Sequence, residues 1–354
     1  MRLGRLGMLA GLTCLLVPSL LPAQLQMQKC MICHGKRDFR KILDSGEVRS
    51  LYVDLNMLQK SVHAKRICVD CHSDVVEIPH AEPPKRVSCT RCHYKGNPEG
   101  APQTDAYLDY AQSVHAIEVA KGNPKAPVCQ SCHGTHDIQH PKKPGSRVFR
   151  AAVAATCGSC HLDEFAQYRG SIHGTAVAHG NPDAPTCTSC HGEHRVLAPA
   201  DPSSTVAPAH VSATCSTCHA AVGIVGKYGI DVEQVATYQE SFHGVATKFG
   251  SRTVANCSSC HMTHDIRPPA DPLSSVNVRN IPATCGHTGC HEGANANYAK
   301  GKIHVDPERP EAGIIYYVAA FFKYLTITVM IGLALHIALD FNRKLQALRK
   351  GGHE

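Results

Sequence analysis

The sequence predicts a mainly irregular fold of short α-helices, closed by one C-terminal transmembrane helix. Three observations predict it. The 354-residue chain has no Trp, 8 Phe and 11 Tyr beside 28 Gly and 22 Pro, which is too little aromatic mass and too much turn chemistry for an ordinary core. It carries 19 cysteines, nearly all of them in regularly spelled pairs. Its one long apolar run outside the N-terminus extends from Ala312 to Leu339.

The N-terminal stretch MRLGRLGMLAGLTCLLVPSLLPAQ places Arg2 and Arg5 before an apolar run, with Ala23 as a small residue for cleavage. It reads as an export signal over residues 1–23, which would take Cys14 away with it. An uncleaved anchor is the alternative. A lipoprotein cysteine is disfavoured, because small residues do not precede Cys14 and apolar sequence follows it.

Eight cysteine pairs then spell Cys-x-x-Cys-His: Cys30/Cys33, Cys68/Cys71, Cys89/Cys92, Cys129/Cys132, Cys157/Cys160, Cys187/Cys190, Cys215/Cys218 and Cys257/Cys260. This spelling attaches c-type haem: both cysteines form thioethers, and the adjacent histidine reaches the iron from one face. Disulfide, zinc and dithiol readings do not explain eight repeats of one spelling in an exported chain. The proximal ligands are His34, His72, His93, His133, His161, His191, His219 and His261. A ninth pair, Cys285 and Cys290 in CGHTGCHEG, has four intervening residues and is followed by His291. Gly286 and Gly289 give the expanded loop room to bulge, so it reads as a ninth haem site. Zinc on Cys285, Cys290 and either His287 or His291 is the structural alternative. Nine covalently attached haems would fill the interior that the side chains leave short, giving a haem-packed fold.

The sixth iron position decides whether such a haem carries electrons or binds substrate. A Ser-x-His phrase recurs and gives His63, His115, His173 and His243. A histidine three positions beyond a proximal one recurs as His136, His194 and His264. Three residues are too few to turn around the macrocycle, so each of these serves a neighbouring haem. His80 and His304 complete nine distal candidates, with His140 and His210 as replacements for the weaker assignments such as His80. Donor and acceptor are not paired by sequence. Nine bis-histidine haems would change oxidation state without an open position, as electron transfer requires. The rival is a multihaem oxidoreductase acting on a small nitrogen or sulfur compound at an open-coordination haem. No catalytic residue is assigned on the first reading.

The repeated SxHG...GNPxAPxCxxCHGxH phrases, from about Cys30 to His304, resemble the multihaem cytochrome c superfamily of metal- and anion-respiring bacteria. That group includes periplasmic haem domains associated with membrane cytochrome b modules. The resemblance implies traffic between the quinone pool and periplasmic or outer-membrane carriers. This chain departs from the cytochrome b fusions in having a single predicted C-terminal helix, so an integral membrane redox partner, cytochrome b or quinone-linked, is expected beside a periplasmic electron carrier.

Residues 24–140 form an N-terminal tetrahaem region and 141–311 a pentahaem region. The 312–339 segment is long enough to span a bilayer, and Arg343, Lys344, Arg349 and Lys350 make the tail, 340–354, cytoplasmic. The haem regions then face the periplasm from a bacterial cytoplasmic membrane. His336, near the inner end of the span, is either a ligand of a noncovalent b-type haem shared with the partner or an interfacial packing residue. The formal charge of +7 falls to roughly −2 oxidised and −11 reduced once propionates are counted, so basic pI is no sign of nucleic acid binding.

Overall fold

A computed structural model describes residues 21–43, 46–80, 82–301 and 304–351; most of the expected export signal, residues 1–20, lies outside them. Helices dominate, and between Leu55 and Cys285 they run from four residues, as in Cys68–Cys71, to nine, as in Leu162–Gly170. Among the described residues the sheet is confined to one hairpin, β1 (Arg40–Ile42) and β2 (Val48–Ser50). The expectation of short helices holds; the hairpin, three residues per strand, was too short for its pattern to show in the sequence.

The chain forms two compact units, Met1–Cys160 with Glu193–Val196, and His161–Gly192 with Leu197–Glu354. Buried apolar side chains are few and small, among them Val153, Ala154, Val177, Ala207 and Val225, with Tyr238 the one aromatic ring among the described residues. Buried serines are as prominent: Ser113, Ser171 and Ser274 are 0–1% exposed. Each holds a bend that recurs along the chain, as polar groups taken from water must.

The repeat has a backbone grammar. Ser113 and Ser171 cap the helices Val114–Ala120 and Ile172–Ala178, accepting from Ala116 N and Gly174 N at 3.1 Å. Ser241 caps Phe242–Lys248 the same way, accepting from Gly244 N at 3.2 Å. The cap fixes the first turn, which carries the Ser-x-His histidine. Three residues before each serine a tyrosine ties the preceding helix to the approach of the next attachment motif: Tyr110 donates to Pro127 O at 2.7 Å, Tyr168 to Pro185 O at 2.8 Å and Tyr238 to Ala255 O at 3.0 Å.

Three motif helices end in the same bend. After Cys129–His133 and Cys187–His191 the next residue is Gly134 at φ 89° or Gly192 at φ 80°, with ψ near 180°. After Cys257–His261 it is Met262, at φ 68° and ψ 170°. That region is essentially reserved for glycine and costs a side chain of order 1–3 kcal/mol. Met262→Gly is therefore expected to raise the melting temperature by about 2–4 °C, read from loss of the visible haem spectrum on heating. Gly192→Met should lower it.

The helix Ile314–Gly351 has 38 residues, and Ile314–Arg349 has a mean hydropathy of 1.9 in its most apolar stretch, long and apolar enough to cross a membrane. It starts at Ile314 and continues beyond Leu339 as helix. Lys323 Nζ reaches back to Glu308 at 2.9 Å, and Asp340 pairs with Arg343 and Lys344 at 3.2 and 2.9 Å. Lys323 and Arg343 are twenty residues apart, about 30 Å of helix, close to the thickness of a hydrocarbon core.

Candidate haem-binding sites

Eight of the nine proximal histidines have a distal candidate facing them. His34 lies opposite His80 with ring centroids 6.3 Å apart, His63 opposite His93 at 5.9 Å, and His72 opposite His136 at 6.4 Å. His133 faces His194 at 6.1 Å, and His191 faces His264 at 6.1 Å. In the second unit His219 faces His173 at 6.2 Å, His261 faces His304 at 6.3 Å, and His291 faces His243 at 6.0 Å. A metal–imidazole bond is about 2.0–2.1 Å, and the nitrogen lies roughly 1.1 Å from its ring centre. Two rings trans across one metal are thus about 6.2–6.4 Å apart. The observed 5.9–6.4 Å lies at or within a few tenths of an ångström of that spacing, and it fits a bis-histidine iron. His161 caps the helix Leu162–Gly170 and His115 lies in the first turn of Val114–Ala120; these two complete the proximal and distal sets.

Hydrogen bonds orient several rings. His34 Nδ1 donates to Leu51 O at 2.7 Å and His80 Nδ1 to Glu82 O at 2.9 Å, so the Nε2 lone pair of each is left for a metal. Thr237, buried, donates to Glu233 O at 2.7 Å and accepts from His304 Nδ1 at 3.2 Å, with the same effect. Burial holds His72, His133, His136, His191, His219, His261 and His304 below the usual histidine range, and His173 is pushed down to about 4. The neutral ring is the coordinating form.

A register governs which histidine meets which motif. His136, His194 and His264 each face the proximal histidine two motifs earlier than the one they follow. His63, His173 and His243 each face the motif after the one they precede. Main-chain bonds lock the two classes together: Val62 N donates to Ile138 O at 2.9 Å, Val114 N to Val196 O at 2.9 Å and Ile172 N to Ile266 O at 2.8 Å. Each bond joins the residue before a Ser-x-His histidine to the second residue after a histidine of the other class. His80 and His304 end the ladder, facing the motifs that the register leaves without a donor.

Within each unit the attachment cysteines follow one another in space as in sequence. Among the described residues none of them is joined in a disulfide. Cys30 and Cys68, Cys89 and Cys129, and Cys215 and Cys257 are close enough to hydrogen-bond. Cys71 and Cys92, Cys132 and Cys157, Cys190 and Cys218, and Cys260 and Cys285 are near enough to raise one partner's pKa by Coulomb repulsion. Within each unit, consecutive motifs are therefore neighbours.

The expanded ninth motif keeps the local closure of the others. His72 N donates to Cys68 O and His93 N to Cys89 O at 2.9 Å; His291 N donates to Cys285 O at 3.0 Å across two more residues. The extra length is taken up at Gly289, whose φ of 82° lies in the left-handed region, while Gly286 ends the helix Ile281–Cys285 at φ −81°. Its approach also matches. Ser146, Ser204 and Ser274 stand eleven residues before Cys157, Cys215 and Cys285, and Thr156, Thr214 and Thr284 donate to Arg147 O, Thr205 O and Ser275 O at 2.6–2.7 Å. Among the described residues no three His, Cys, Asp or Glu side chains gather as a zinc cage would need. His287 turns its Nδ1 to Thr288 O at 3.1 Å.

The remaining histidines take ordinary contacts. His140 Nδ1 accepts from Lys142 N at 3.2 Å, His179 donates to Thr175 O at 2.7 Å, and His210 donates to Ser204 O at 2.9 Å. His336 is exposed on the long C-terminal helix. Sequence reasoning missed the capping role of the phrase serines, the tyrosines three residues before them and Thr237; the fixed serine-to-cysteine distance of eleven residues was the available signal for the bend serines.

Neither the curated proteins nor the solved structures give a match. Residues 60–201, less than half of the chain, match the family described as outer membrane cytochrome MtrC/MtrF-like, domains II/IV. Taken with the attachment motifs and the paired histidines, that match supports placing the chain in the multihaem cytochrome c superfamily.

Proposed function

We propose that the chain is a nonahaem c-type electron-transfer subunit. It relays electrons between a membrane partner, quinone-linked or of cytochrome b type, and a periplasmic redox carrier. The observation that carries this reading is the set of eight facing histidine pairs at the spacing of a six-coordinate iron, strung along cysteines that are neighbours in sequence order. Bound haem supplies one-electron chemistry at iron. The chain's own histidines would hold the iron, two at each of the eight facing pairs, with His34, His80 and His304 oriented through their Nδ1 partners, and would leave no position there for substrate.

The ligand sets on this proposal are Cys30, Cys33, His34 and His80; Cys68, Cys71, His72 and His136; Cys89, Cys92, His93 and His63; and Cys129, Cys132, His133 and His194. Beyond them come Cys187, Cys190, His191 and His264; Cys215, Cys218, His219 and His173; Cys257, Cys260, His261 and His304; and Cys285, Cys290, His291 and His243. Cys157, Cys160 and His161 hold the remaining haem. The C-terminal helix anchors the protein in the cytoplasmic membrane with the haem-bearing part in the periplasm, supported by its length and its basic inner end. His336 either ligates a b-type haem shared with the membrane partner or packs at that interface.

Electron paramagnetic resonance on the purified, detergent-solubilised chain, with covalent haem counted by mass spectrometry, tests the reading. Nine haems with low-spin ferric signals alone are expected. A high-spin haem that exchanges ligands and binds nitrite or hydroxylamine would overturn it in favour of an enzyme.

A further inference from the structure

The hairpin β1–β2 is the one sheet among the described residues. All six strand residues are exposed. Lys41 stands directly across from Arg49 in the antiparallel register. Like charges directly opposite destabilise a strand pair, and an isolated two-stranded hairpin is marginal in water. Glu47 lies 3.9 Å from Arg49 with both side chains about 60% exposed, a contact that water screens strongly.

The other side of the hairpin is also basic. Arg37 and Arg40, with Asp38, Val48 and Ser50, line a shallow surface groove. Lys36 is exposed beside them. A short chain segment that concentrates cations on both faces is complementary to a partner surface that carries negative charge.

Its position gives that charge a purpose. Leu51, the residue after β2, donates to Phe39 O at 2.9 Å and accepts from His34 Nδ1 at 2.7 Å. Val53 N donates to His34 O at 2.7 Å, and the Phe39 ring stands edge-on to His34 at 5.2 Å. The hairpin is thus built onto the proximal histidine of the first motif. That motif ends the row of neighbouring attachment sites, with Cys68 the next cysteine beside Cys30.

We infer that the β1–β2 hairpin is a docking surface for an acidic electron-carrier protein, whose surface carboxylates pair with Arg37, Arg40, Lys41 and Arg49 beside the first haem site. The inference rests on the electron-transfer reading and adds to it the surface and the charge of the soluble partner.

The test uses the full holo chain in detergent and a fluorescein-labelled poly-glutamate peptide of about twenty residues as probe, at an ionic strength of about 20 mM, where charges act over about 20 Å. Lys41→Glu with Arg49→Glu is expected to weaken binding about tenfold, and Lys41→Gln with Arg49→Gln to weaken it by less. Lys142→Glu with Lys143→Glu, an exposed pair elsewhere in the same unit, should leave it unchanged. Equal weakening by both charge-reversal pairs, or by neither, overturns the inference. Each variant must carry the same haem count by mass; should the Glu pair fail to fold, the Gln pair decides alone.

Oxidation of the reduced protein by hexacyanoferrate(III) should slow in the Glu pair, and oxidation by the cation hexaammineruthenium(III) should quicken. Unchanged rates with both probes count against docking beside this site. A chain that binds the peptide through the hairpin but cannot be reduced keeps the surface and loses the electron-transfer reading, which separates the two failures.

Discussion

Replacing Cys285 and Cys290 together by serine is expected to yield a protein with eight covalent haems in place of the nine proposed, a difference of one haem mass in the intact-protein spectrum. The reason is local. His291 N closes on Cys285 O as His72 N closes on Cys68 O, and the bend leading to Cys285 repeats those leading to Cys157 and Cys215. Two residues more do not alter the positions where the chain enters and leaves the loop, because Gly289 adopts a left-handed φ that returns the chain to the same closure. Gly289→Val should lower the yield of nine-haem protein, since a β-branched residue resists that φ. A double serine variant that retains all its haem would show that this pair holds none, and a zinc content that falls by one would favour the structural alternative.

His264→Ala is expected to open the iron of the motif at Cys187, although His264 follows the motif at Cys257 by three residues. Its ring faces His191 at 6.1 Å and lies 18° from parallel, while His261 faces His304 at 6.3 Å. The variant should show one high-spin haem. Adding His191→Ala should leave the number of perturbed haems at one, because both histidines belong to the same iron. Adding His304→Ala should raise it to two. The reverse pattern, with two perturbed haems in the first double variant and one in the second, would overturn the pairing. Loss of the second ligand exchanges a closed iron for an open one, so the spin state changes rather than shifting slightly.

The attachment motifs and the recurring histidine phrases were legible in the sequence because the spelling for covalent haem attachment is a local grammar. Two cysteines and a histidine must sit within one turn, so their spacing is written in consecutive residues. The pairing was not legible. His191 and His264 are 73 residues apart, and every Nε2 is chemically equivalent to every other. What selects among them is main-chain hydrogen bonding between repeats, such as Ile172 N to Ile266 O, which carries no side-chain signature. The phrase serine was visible as a repeat, yet its work as a helix cap depends on a backbone turn.

The membrane helix divides the same way. Its apolar length and basic C-terminal end are compositional, whereas its start at Ile314, its continuation beyond Leu339 and the Lys323–Glu308 pair depend on how the chain approaches it. The hairpin escaped the sequence because three-residue strands are shorter than any readable alternation.

By itself, then, the sequence pointed to the cofactor class, spelled the attachment motifs and contained a segment long and apolar enough to cross a membrane, since each is set by residue identity at short range. Only the tertiary structure decided which distant histidine faces which, that neighbouring motifs in sequence are neighbours in space within each unit, and that a basic hairpin stands on the first ligand. Those depend on long-range contacts between chemically identical groups, and backbone geometry alone distinguishes them.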